Sequence, residues 1–298
     1  MPLDIYQAVT DRILSILDQG VVPWRQPIRS TGDEGLLPTN LESGREYRGI
    51  NVFLLAMTAW AEGFSSPYWM TYRQAAAKGG HVRKGEKGSL VIFWKQHATR
   101  DKKTDEPIKI PVLRHYTVFN AEQCKGIELP SPTAQDEAKA IPFEPIEACA
   151  AIVAGYANGP AIEHRGSRAC YRPMTDTVQI AEPERFETPE SYYAVLFHEL
   201  VHSTGHSSRL DRGLDKELRG FGSPDYSREE LVAEFGAAFL AAAAGIGAQT
   251  VEQSAAYIDG WRKKLKSDKK IVVTAAGFGQ KAADWIIGRD HSQQMIEA

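Results

Sequence analysis

An α+β fold in two unequal parts is what this 298-residue chain predicts. Three observations lead there. Helix-like and strand-like patterns are interspersed through the first 130 residues. A stretch rich in Pro, Ala and acidic residues follows at 131–145, with Pro132, Pro142 and Pro145 as breakers. Beyond it, helical patterns dominate around three short strand candidates. The reading is an N-terminal α+β domain over 1–130, a linker over 131–145, and a mostly helical domain with a small sheet over 146–298. No internal repeat is visible.

The elements follow in order. Residues 3–19 carry Ile5, Val9, Ile13, Ile16 and Leu17 at helical spacing and stop at Gly20. Residues 21–49 are rich in Pro, Gly, Arg and aromatics and read as loop, and 50–62 read as helix. Thr71 to Lys78 is a short helix closed by Gly79-Gly80. Residues 89–94 and 112–119 read as strands, with the polar run 98–109 connecting them. After the linker come a helix near 146–157 and strands near 161–165, 168–172 and 177–181. A helix then opens on Thr188 as N-cap and Pro189 as first helical residue, and ends at Gly205. Further helices are expected at 228–244, 250–265 and 271–288.

Composition narrows the function classes. Hydrophobic residues make up 43% of the chain, enough for a real core, and the formal net charge is −3, so the chain is not a globally basic nucleic-acid binder. The charge is unevenly placed. Residues 69–114 hold 11 Lys+Arg against 4 Asp+Glu, a net of +7, whereas 131–298 is net acidic. Cys124, Cys149 and Cys170 are odd in number and widely spaced, which argues against a disulfide framework or a cysteine zinc site. The N-terminus lacks a basic-then-apolar signal pattern, and the apolar run 235–247 is too short to span a bilayer. No membrane association and a cytoplasmic location are the expectations.

The sharpest chemical signal is His198-Glu199-Leu200-Val201-His202, an H-E-x-x-H pattern inside the helix that starts at Thr188. Residues four apart share a helix face, so both imidazoles point the same way and supply two metal ligands. Glu199 is turned about 100° away, placed to take a proton from water rather than to ligate. The pattern points to zinc, or another divalent metal, and to metal-assisted hydrolysis, usually of a peptide bond.

A third ligand is required. His206 falls two residues short of the position a longer H-E-x-x-H-x-x-G-x-x-H pattern needs, which Ser208 occupies. The stretch Ser227 to Ala237 offers a better match, since Glu230, Ala233, Glu234 and Ala237 fit the E-x-x-[AS]-[DE]-x-x-[AG] pattern of gluzincin-type peptidases. Glu230 is the expected ligand and Glu234 the carboxylate that hydrogen-bonds a ligand histidine. Ser227 and Glu230 also form S-x-x-E, a capping-box pattern. If Glu230 caps the helix, Glu229 or Glu234 is the ligand instead.

The N-terminal part interleaves cations with rings: Trp24-Arg25, Arg48 after Tyr47, Trp69, Tyr72-Arg73, and Arg83, Lys84 and Lys87 in a Gly-flanked segment. Stacking rings beside Lys and Arg suit single-stranded nucleic acid. The same residues also read as core aromatics and as a hairpin turn with solvated charges.

Taken together, several stretches resemble the ArdC-type antirestriction proteins, whose first module also occurs in some plasmid primases. They are Gly20 to Pro27, Tyr47 to Asn51, Tyr68 to Ala75, Gly79 to Gly88, Val118 to Asn120, Phe197 to His206 and Glu229 to Glu234. The resemblance covers nearly the whole chain. It implies an N-terminal single-stranded-DNA-binding domain, a C-terminal zincin-like metallopeptidase domain, and protection of incoming conjugative plasmid DNA from host restriction. A host restriction protein or another DNA-bound protein is the expected substrate class. Two rivals share these features: a DNA-tethered protease acting on crosslinked proteins, and a non-catalytic DNA-coating protein with structural zinc.

Overall fold

A four-stranded sheet in the first half and a three-stranded sheet in the second are packed with a set of helices in the computed structural model, which describes residues 3–29, 36–100, 107–130, 145–214, 224–246 and 255–289. In the first half the elements are α1 (Ile5–Leu17), β1 (Thr39–Asn40), α2 (Ile50–Glu62), β2 (Tyr68–Thr71), α3 (Tyr72–Ala77), β3 (His81–Val82), β4 (Ser89–Arg100), β5 (Pro107–Asn120) and β6 (Cys124–Lys125). The second half holds α4 (Pro145–Gly155), β7 (Ala161–His164), β8 (Cys170–Arg172), β9 (Thr177–Ile180), α5 (Pro189–Ser203), α6 (Pro224–Ala244), α7 (Ala255–Ser267) and α8 (Ile271–Ile287). All but one residue of the expected linker at 131–145 lies outside the described residues; Pro145 opens α4.

The first sheet has the order β1-β2-β5-β4, with β1 and β2 parallel and the rest antiparallel. β4 and β5 pair from Ser89↔Val118 to Arg100↔Pro107. Pairing therefore continues well into the polar run expected as a connection. Once the register is set, every second residue pair exchanges backbone hydrogen bonds whether or not its side chains are apolar. Asn51, at the start of α2, caps the outer edge of β4: its Nδ2 donates to the Ile92 carbonyl at 2.7 Å and its Oδ1 accepts from the Ile92 N–H at 2.8 Å. β3 and β6 form a separate pair.

The second sheet, β7-β9-β8, is held against α5 by one buried cation. Arg209 donates from Nε to the Ser203 carbonyl at 2.8 Å, from Nη1 to the Asn158 carbonyl at 2.8 Å, and through both terminal nitrogens to Asp176. Burial raises the Asp176 carboxyl, but hydrogen bonds from Arg209 and Tyr171 outweigh it and hold the group below its usual 3.8.

One continuous core runs through both halves. Phe53 of α2 meets Phe235 and Phe239 of α6, with ring centroids at 4.7 and 5.2 Å. α1 lies on α7 and α8. Arg48 pairs with the buried Asp284 of α8, and the Gly49 N–H, at φ +56° where a side chain is disfavoured, donates to Gln280. α6 is the central helix of the second half and begins at Pro224, ahead of the expected start at 228. Its contact with α8 admits no Cβ. A methyl group on Gly279 lies 2.8 Å from the Gly236 nitrogen and 2.9 Å from the Val232 carbonyl; one on Gly236 lies 2.6 Å from a Val201 methyl of α5. Among the described residues no helix is long and apolar enough to cross a membrane.

Two predictions follow from this packing. Gly279→Ala should lower stability by about 1–3 kcal/mol, because backbone must move to admit the methyl. Gly277→Ala, two residues away with open space at its Cβ, should be neutral or stabilising by up to about 1 kcal/mol. Equal urea midpoints for the two variants would refute the close-approach argument. The second concerns acid. A carboxyl lowered in the folded state stabilises above its unfolded pKa, and that share is lost as pH falls through the folded value. Asp176→Asn should therefore be less stable than the parent at neutral pH by about 1–3 kcal/mol. Urea midpoints across pH should show the gap closing below 3.8.

Candidate metal centre

The site is built on α5. Thr188 caps its N-terminus, its side chain accepting from the Ser191 N–H while Ser191 reaches back to the Thr188 N–H, with Pro189 in the first turn as expected. Tyr192, Leu196, Phe197, Leu200 and Val201 bury the faces turned toward the core. His198 and His202 point off the helix together, their Nε2 atoms 3.1 Å apart. Two imidazole nitrogens that close share one proton or one cation.

The second helix supplies carboxylates. Ser227 sits inside α6, so it does not cap it, and Glu230 is free of the capping role. Glu230 Oε2 lies 3.5 Å from His198 Nε2 and its Oε1 lies 3.7 Å from His202 Nε2. One ligand atom from each of His198, His202 and Glu230 falls within 4.8 Å of the others. Two imidazoles and a carboxylate suit a divalent ion that keeps a position open for water. Burial disfavours charge on His198, but a hydrogen bond to Glu230 and the fields of Glu234, Glu199 and Glu230 outweigh it and raise the imidazole to about 9. Glu230 is held down to about 2, since His198 and His202 offset its burial.

Glu199 lies beside the cluster, close enough for its charge to act on His198. Its carboxylate is buried, and Oε2 accepts the backbone N–H of Tyr171 on β8 at 2.7 Å. The small sheet thereby orients the carboxylate.

The carboxylate behind the histidines is Glu229, not Glu234. Glu229 Oε1 lies 3.3 Å from His202 Nδ1, and Arg212 grips both Glu229 oxygens at 2.7 and 2.9 Å. A proton on Nδ1, donated to Glu229, leaves Nε2 unprotonated and able to ligate. Glu234 instead accepts from Arg25 Nη2 at 2.8 Å and from the Tyr257 hydroxyl at 2.7 Å. Glu234 lies one turn beyond Glu230, but Arg25 draws its carboxylate toward the N-terminal half. His206 turns to Ser208, with Nδ1 and Oγ 2.8 Å apart, and takes no part in the cluster.

Of the nine residues expected to touch nucleic acid, four are committed elsewhere. Trp24 and Trp69 are 2% and 1% exposed and are core residues. Trp24 packs edge-on against Phe235 and Trp261, and its Nε1 donates to Tyr257. Arg25 pairs with Glu234, and Arg48 with Asp284. Each neutralises a carboxylate from the other half of the chain, which sequence order cannot show. Tyr72, 60% exposed, and Arg73, Arg83, Lys84 and Lys87 remain on the surface, with Arg83 paired to Glu86 at 2.7 Å. The sequence reading missed Arg212, the Tyr171 N–H and Tyr226. Tyr226 lies one turn before Glu230, hydrogen-bonds it, and is raised to about 12, first by its burial and then by Glu230. Only Tyr226 had a local signal, its i,i+4 spacing to Glu230.

Comparison with known proteins agrees with this architecture. Residues 3–119 match a family described as the N-terminal domain of the anti-restriction factor ArdC, and 149–278 match one described as zincin-like metallopeptidase. An uncharacterized protein, y4eC, of Sinorhizobium fredii (strain NBRC 101917 / NGR234) is 38% identical, over 98% of this chain and 93% of that one. A DNA primase TraC of Escherichia coli is 36% identical over 97% of this chain, which spans only 27% of the primase. Two crystal structures of the antirestriction protein ArdC from plasmid R388 are also similar. The metal-free one has a TM-score of 0.73 at 39% identity, covering 95% of this chain and 97% of that one. The Mn(II)-bound one has a TM-score of 0.74 at 37% identity, covering 98% and 100%. With both domain families matched in order and full-length relatives well above 30% identity, the chain belongs to the ArdC-type antirestriction family.

Proposed function

We propose that this protein binds single-stranded DNA through its N-terminal half, protects incoming conjugative plasmid DNA from host restriction, and carries a metallopeptidase site in its C-terminal half. The observation that carries the metal part is the convergence of His198, His202 and Glu230 beside an oriented Glu199. These three side chains would hold a divalent ion, with zinc the first expectation, and the Mn(II)-bound relative supports a divalent cation. Such an ion acidifies water and polarises a carbonyl. Glu199 Oε1 takes the proton of the attacking water and returns it to the leaving amine. Arg212 and Glu229 keep the His202 imidazole in the ligating tautomer. The DNA part is supported by the +7 balance over 69–114 and by exposed Tyr72, Arg73, Lys84 and Lys87. The protein substrate is a host restriction protein or another protein on the transferred strand.

A second reading, a protease that works on proteins bound or crosslinked to DNA, draws on the Arg25–Glu234 pair. It ties the two halves into one body, so a protein carried on bound DNA meets the site at a constant distance.

Metal content tests the ligand set. The full-length protein should hold about one divalent ion per chain, and His198→Ala and His202→Ala should each lose it. Glu230→Ala should weaken binding most. Glu229→Ala should cost about 10–100-fold, as removal of a residue that orients a ligand does, and Glu234→Ala least. Calorimetric titrations that rank Glu229 or Glu234 first would reassign the third ligand.

Glu199→Gln separates chemistry from binding. Its amide oxygen still accepts the Tyr171 N–H, so fold and metal should be kept, while hydrolysis should fall by at least about 10²-fold. Undiminished peptide cleavage would remove Glu199 from its role. Full antirestriction by this variant would show that protection rests on DNA binding alone.

A further inference from the structure

The β4–β5 hairpin outgrows the sheet it belongs to. β2 pairs with β5 only at Val118, Phe119 and Asn120, so from Thr117 outward the two strands form a ribbon with no other strand partner among the described residues. A two-stranded ribbon has too little partner surface to bury both faces in water, and this one leaves rings exposed.

Side chains directly opposed across an antiparallel pair share a face, as do residues two apart on one strand. The register therefore puts Val91, Phe93 and Lys95 on one face with Tyr116, Arg114 and Val112. On that face Phe93 and Tyr116 meet at 5.8 Å between centroids, and the buried Tyr47 backs Phe93 at 6.1 Å. Tyr116 is 39% exposed, and Lys95 and Arg114 are both on the surface. Trp94, also exposed, belongs to the opposite face, beside Leu113. Neither strand contains a single Asp or Glu over its 12 and 14 residues, while together they carry Lys95, Arg100, Lys109 and Arg114. A solvated ribbon under no functional demand ordinarily mixes charges of both signs. Rings fixed from behind, cations beside them and no acid fit a polyanion with exposed flat faces.

We infer that the Phe93–Tyr116–Arg114–Lys95 face of the ribbon is the platform on which single-stranded DNA docks. The inference rests on the single-strand reading given above and locates its site. Tyr116 stacks on a base, the half-buried Phe93 supports Tyr116, and Arg114 and Lys95 meet backbone phosphates. The loop of Arg83, Lys84 and Lys87 leads into the base of β4, so it lengthens the phosphate track rather than forming the platform.

The test is fluorescence anisotropy of full-length protein with a dye-labelled oligothymidylate of about 16 nucleotides, titrated across salt. Tyr116→Ala should weaken binding about 5- to 150-fold, the range for losing one base stack, with the salt slope unchanged. Tyr116→Phe, which keeps the ring, should bind like the parent and separates stacking from folding damage. Arg114→Gln should reduce the salt slope by about 0.7, the value for one phosphate contact on a single strand. Trp94→Ala, on the other face, should bind like the parent. If Tyr116→Ala and Arg114→Gln match the parent, while Trp94→Ala or the Lys84→Ala/Lys87→Ala double variant loses binding, the platform is overturned and the single-strand reading stands. If the parent itself fails to bind the oligonucleotide at low salt, the single-strand reading falls and the platform with it.

Discussion

The metal centre depends on how closely α6 approaches its two neighbours. Glu229 and Glu230 reach the histidines of α5 only because α6 lies against that helix through Val201 and Gly236, and it is pressed there by α8 through Gly279. Backbone touches backbone at the second of these contacts, so the spacing is set by atoms that have no rotamers. Ligand geometry requires that kind of rigidity, because small displacements of a carboxylate change what it can coordinate. The small residues of α6 serve the same end, with Ala233 buried and Ala237 half-buried.

Charge is then distributed around that frame in two directions. Glu199, Glu229, Glu230 and Glu234 crowd near two imidazoles, and such a set is costly unless each carboxylate has its own partner. Arg212 answers Glu229, the Tyr171 N–H answers Glu199, and Arg25 answers Glu234. That leaves Glu230, with the two histidines, as the member whose charge is best matched by a cation. The partners come from the turn after α5, from the small sheet and from the N-terminal half, so the centre is a product of the whole chain rather than of one domain.

The same pairing explains why the halves are not separable bodies on a string. Phe53, Phe235, Trp24 and Trp261 form one aromatic cluster across the boundary, and Arg48 reaches the buried Asp284. Cutting the chain near residue 130 would expose these apolar faces and leave Glu234 and Asp284 without their cations. Family membership treats the two modules as units in sequence; in this fold they share a core.

What the sequence determined by itself was local. The helix of His198 and His202, its Thr188 cap, the helix at 50–62, the short strands at 161–164, 170–172 and 177–180, and the pairing of Glu230 with an alanine-lined helix face were all legible. Each depends on interactions a few residues apart. Tertiary structure decided everything that needed two distant segments. It assigned Trp24 and Trp69 to the core, because an aromatic reads alike in a core and on a binding face until its neighbours are known. It sent Arg25 and Arg48 to Glu234 and Asp284, put Glu229 rather than Glu234 against the His202 imidazole, and extended the hairpin through a polar run, because backbone pairing is indifferent to side-chain polarity there. The two histidines that share one helix were in the sequence; the groups that orient them arrive across long loops, and only packing brings those together.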